Sequence, residues 1–108
     1  MAKRQNVNKV PTDALQGPGS FVVLRSVSYD MAMAAREKMS TEHTVDEEKQ
    51  FVTKLLSENV VEWDWVDNDD LLMPTPAADP EIIKKLTVDE VEFLISALTG
   101  GAPAETKN

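Results

Sequence analysis

The chain has 108 residues, 42% apolar and 28% charged, which suits one small globular domain and leaves too little for two well-filled cores. Nineteen acidic against eleven basic residues give a formal net charge of -8, which opposes a broad phosphate-backbone footprint and argues against nucleic acid as a partner. There is no cysteine and a single histidine, so disulfide scaffolds, thiolate zinc sites, cysteine nucleophiles and imidazole clusters are excluded, and no cofactor is expected.

Residues 1–20 are polar and carry Pro11, Gly17, Pro18 and Gly19, a composition that predicts a flexible N-terminal arm. Lys3, Arg4 and Lys9 outnumber Asp13 there, as a solvated tail would allow. Phe21-Val22-Val23-Leu24 is apolar and β-branched between Gly19-Ser20 and Arg25-Ser26, so it predicts a short strand enclosed on both faces. Ser26 or Ser28 can cap the following helix, in which Met31, Ala34, Ala35 and Lys38 or Met39 recur at helical spacing up to Ser40. That stripe of small and flexible side chains buries little area and suits close packing against a neighbour or a second copy. No apolar run reaches the length of a membrane span or a signal-peptide core, so the protein is expected to be soluble, unprocessed and free of membrane.

The tetrapeptide Thr44-Val45-Asp46-Glu47 recurs as Thr87-Val88-Asp89-Glu90. Each copy reads as a capping box, in which the Thr hydroxyl accepts from the third helical N–H and the Glu carboxylate accepts from the cap's own N–H. After the first box Phe51, Val52, Leu55 and Leu56 give one apolar face to a helix over roughly 45–58. After the second, Val91, Leu94, Ile95 and Leu98 do the same until Gly100 can close the helix, with Leu86 and Val91 at hydrophobic-staple positions. The flanks of the two boxes do not match, so the recurrence reads as convergent capping rather than an internal repeat.

Between these helices Val61, Trp63 and Trp65 alternate with Glu62, Asp64 and Val66, which predicts a half-buried strand over 60–66. Asp67-Asn68-Asp69-Asp70 supplies a turn, and Leu71-Leu72-Met73 can fold back along the tryptophan strand before Pro74 and Pro76 stop it. Asp79 and Pro80 make an N-cap and first-turn pair for a short helix carrying Ile82, Ile83 and Leu86. Residues 100–108 read as a flexible C-terminal tail. The fold class is therefore α+β: a small, mainly helical single domain over 21–99 with two or three short strands and flexible termini.

The chemistry-bearing patterns are incomplete. Asp67 and Asp69 have the spacing of the first two calcium ligands in an EF-hand loop, but Leu71 and Ala78 stand where later ligands belong and no glycine provides the bend. His43 lies beside a helix cap and reads as an exposed turn residue. No nucleophile elbow or phosphate-binding loop is present, and no carboxylate pair stands out, so catalysis is not expected. The two tryptophans admit two readings: both fill one face of a small sheet, or Trp65 joins Leu71, Leu72 and Met73 in an apolar patch with an acidic rim. On the second reading Trp63, Trp65, Leu71, Leu72 and Met73 are the candidate partner-binding residues.

Over residues 21–98 the chain resembles the small tail assembly chaperones of long-tailed, siphovirus-like bacteriophages. The resemblance lies in Phe21-Val22-Val23-Leu24-Arg25-Ser26-Val27-Ser28-Tyr29, in a helix ending Leu55-Leu56 and in Val60-Val61-Glu62-Trp63-Asp64 with its acidic turn. It continues through Pro74-Thr75-Pro76 and the terminal Leu94-Ile95-Ser96-Ala97-Leu98, while the turn carries Asn68-Asp69-Asp70 where relatives often have a glycine. The resemblance implies a non-enzymatic assembly factor of the host cytoplasm that binds the tape-measure protein and recruits tail tube protein. It also implies a longer, frameshifted form of the same chain as a partner, with the junction near Lys107-Asn108. The alternative, from a different class, is a structural tail or connector accessory protein retained in the virion.

Overall fold

In chain order the computed structural model, which describes residues 7–99, contains β1 (Val7–Pro11), α1 (Asp13–Gln16), β2 (Phe21–Arg25), α2 (Tyr29–Ser40), α3 (Val45–Asn59), β3 (Val60–Trp63), a 3-10 helix (Pro80–Lys85) and α4 (Val88–Thr99). This is a small, mainly helical α+β domain, as the periodicities predict. Local hydrogen bonds set the helix starts. Ser28 Oγ accepts from the Met31 N–H at the start of α2. Both capping boxes are complete: Thr44 and Glu47 exchange bonds of 3.1 and 2.8 Å, and Thr87 and Glu90 bonds of 3.1 and 2.9 Å. The Asp79 carboxylate caps the 3-10 helix through the Glu81 N–H, with Pro80 in the first turn.

The strands form one antiparallel sheet in the order β1-β2-β3, with β2 central and fully enclosed on one face rather than on both as its consecutive apolar residues suggest. Val22 and Leu24 face the helices and are buried, whereas Phe21 and Val23 are half-buried on the other face, where the Lys9 ammonium lies 4.5 Å from the Phe21 ring centre. The core joins Val22, Leu24, Val60, Trp63 and Trp65 to Val52, Leu55 and Leu56 of α3 and to Leu94 and Leu98 of α4.

Two expectations are corrected. The arm expected over residues 1–20 is built structure from residue 7 onward: β1 pairs with β2 along its length, and the intervening turn uses Gly17 and Gly19 at φ of 104° and 83°. The expected alternation of Val61 with Trp63 fails because of a β-bulge. Val23 lies opposite Glu62 but Leu24 lies opposite Val60, so Val61 is the extra residue; Val60 turns inward and Val61 is 43% exposed. The expected flexible tail over 100–108, the closing role of Gly100 and residues 1–6 lie outside the described residues.

Candidate functional site

Beyond β3 the chain runs out through Asp64 and Trp65 into a short hairpin fastened by backbone bonds across it and by side-chain bonds at its tip and root. Val66 bridges Leu72, the Asp67 N–H donates to the Leu71 carbonyl at 2.9 Å and the Met73 N–H donates to the Trp65 carbonyl at 2.9 Å. At the tip the Asp67 carboxylate accepts from the N–H groups of Asp69 and Leu71, and these bonds, that from Leu71 foremost, hold its pKa below the usual value. Asp70 adopts a φ of 62°, the left-handed conformation that closes the turn where a glycine would otherwise serve.

The five sequence-derived candidates separate here. Trp63, Trp65 and Met73 are interior, at 5%, 0% and 4% exposure, while Leu71 and Leu72 project into solvent at 64% and 69%. The surface reading of Trp63, Trp65 and Met73 is therefore corrected. Their burial has a clear physical cause. The indoles stack in parallel with centroids 4.7 Å apart, and each N–H finds an internal acceptor: Trp63 Nε1 donates to the Met73 carbonyl, and Trp65 Nε1 to Thr12 Oγ1. Thr12, itself buried, also shares a hydrogen bond of 2.7 Å with the Ser20 hydroxyl, so the turn between β1 and β2 seals the tryptophan pair from the far side.

A glutamine not foreseen from sequence fixes the root of the hairpin. Gln16 Nε2 donates to the Val66 carbonyl and to Glu90 Oε2, at 3.1 and 2.7 Å, while Gln16 Oε1 accepts from the Val66 N–H at 2.8 Å. The side chain thus pairs with Val66 as a neighbouring strand would and ties it to the capping carboxylate of α4. Glu90 is 6% exposed, and the Thr87 N–H and the Gln16 amide supply its donors. Because Gln16, Val66 and Glu90 lie far apart in sequence, no local pattern announces the constellation.

Two apolar grooves flank α3. One, of about 370 Å³, lies between α2 and α3, with Met31, Ala34, Phe51 and Leu55 in its lining and Lys38 and Lys54 at its edge. The other, also about 370 Å³, is lined by Met39, Val52, Ile83, Leu86, Val91 and Ile95, with Glu48, Lys49 and Glu92 beside them. Comparison with protein-family models, curated proteins and solved structures gives no match. Among the described residues no group of three or more His, Asp or Glu side chains is placed to hold a metal ion, and no helix is long and apolar enough to cross a membrane. The arrangement offers a fixed arm with two solvent-facing leucines on an acidic turn and, along α3, grooves that can accept apolar side chains.

Proposed function

We propose that this chain is a tail assembly chaperone of a long-tailed bacteriophage, a non-enzymatic factor acting in the host cytoplasm that binds the tape-measure protein and assists assembly of the tail tube. The observation that carries the reading is the exposure of Leu71 and Leu72 on a hairpin held in place by backbone and side-chain hydrogen bonds. Leucines that contribute nothing to their own core cost solubility, and a transient hold on another apolar polypeptide gives them a use. The sequence resemblance supplies the identity of that polypeptide. A net charge of -8 keeps a loaded complex dispersed by self-repulsion.

Co-expression with the tape-measure protein of the same phage tests the reading. The native chain is expected to keep the client soluble and to co-purify with it. The double substitution L71S/L72S is expected to abolish co-purification while leaving the fold intact. If the native chain neither solubilises nor retains the tape-measure protein, the reading is lost. Stoichiometric amounts of the chain in purified virions, measured by mass spectrometry, would instead favour a retained tail or connector component.

A further inference from the structure

The repeated Thr-Val-Asp-Glu box begins two helices in the same manner, yet the residues just outside it differ in kind. In the hydrophobic staple, the residue before the N-cap packs against the fourth residue of the helix. At α4 those positions are Leu86 and Val91, both packed against the core and lining one groove. At α3 they are His43 and Glu48. There His43 Nε2 lies 2.8 Å from Glu48 Oε1, and Nδ1 lies 2.6 Å from the carbonyl of Thr41, the C-cap residue just after α2. Both ring nitrogens thus face acceptors, and only the imidazolium carries a proton for each.

We propose that His43 and Glu48 form a titratable staple that fastens the end of α2 to the start of α3 while the imidazole is protonated and releases one of the two contacts when it is not. Nothing in this inference depends on the chaperone reading. On losing a proton the ring keeps one N–H, and the other nitrogen presents a lone pair to an oxygen that also only accepts. One of the two bonds then opens.

The surrounding charges favour the closed form. Glu48, through its hydrogen bond first, then the Thr41 carbonyl and the charge of Glu47 raise the histidine's pKa above its ordinary 6.5. Lys38 of α2 acts on Glu47, while Lys49 and, from α4, Glu92 line the groove that Glu48 borders. The staple's contribution is complete below pH 6.5 and is lost as pH rises through the folded-state pKa. What it fastens is lightly held otherwise, because α2 buries Ala35 while Met31 on the same helix is 49% exposed.

His43 is the only histidine in the chain, so its ring resonances report the titration without overlap. The full-length protein is titrated by NMR, and backbone amide exchange at Thr41 to Glu48 is followed across the same pH range, corrected for intrinsic rates. The midpoint is expected above 6.5, with protection at the α3 start falling through that midpoint while protection at Thr87 to Val91 stays level. In E48Q the midpoint is expected to move down toward the ordinary value. H43L/E48V, which copies the α4 pair onto α3, is expected to make the two helix starts equally insensitive to pH. A native midpoint at or below 6.5, or an E48Q midpoint unchanged from the native one, overturns the proposal even if the double variant fails to fold. So does equal pH dependence at the two starts in the native protein.

Discussion

Trp65 and Leu72 stand seven positions apart in one hairpin and carry opposite burdens. The indole of Trp65 is fully enclosed and hydrogen-bonded to Thr12, whereas Leu72 is 69% exposed. Replacing Trp65 by alanine is expected to remove about 3–5 kcal/mol of stability, by lost transfer energy and the cavity left among Trp63, Met73 and the sheet. L71S/L72S is expected to change stability by no more than about 0.5 kcal/mol per site, as surface substitutions do. Urea denaturation of the two variants measures both. If L71S/L72S were strongly destabilising, the leucines would be structural and unavailable to a client. The spacing of Trp63 and Trp65 made an inward aromatic face legible in the sequence, although Val61, read as part of it, points outward, and it left the fate of Trp65 open. What settled it was an acceptor, Thr12, contributed by a segment whose composition suggested a tail.

Elements that close their own hydrogen bonds locally were the legible ones. Ser28, Thr44, Thr87 and the Asp79-Pro80 pair mark helix starts because each cap bonds within a few residues, and all four begin helical segments. β1 was missed for the complementary reason. As an edge strand it is held by backbone pairing to β2, with four of its five residues exposed, so it carries no apolar alternation to detect. The hairpin was legible as a turn with a returning arm, but its anchor was not, since Gln16 joins Val66 and Glu90 across the whole length of the domain. Gln16→Ala removes three hydrogen bonds and leaves the buried Glu90 carboxylate one donor fewer, so a loss of about 1–3 kcal/mol is expected. Amide exchange at Val66 and Met73 is expected to quicken with it. Unchanged exchange at these positions would show that the backbone bonds alone hold the arm.

For the molecule as a whole, the first nineteen residues decide whether the sheet has a third strand and whether the tryptophan pair is sealed. Deleting residues 1–19 removes β1, Thr12 and Gln16 together, and the remaining chain is expected to lose cooperative unfolding rather than only its tail. Far-UV circular dichroism during thermal unfolding checks this, and a sharp transition at an undiminished midpoint would return the segment to the status of an arm. The same connectivity governs how the domain responds to mechanical load. A polypeptide that tugs on the leucine arm pulls on Val66, and through the carboxamide of Gln16 the tension passes to the carboxylate that caps the last helix. Loading the arm therefore strains the first turn of α4, and the arm's anchor and that helix yield together rather than one after the other.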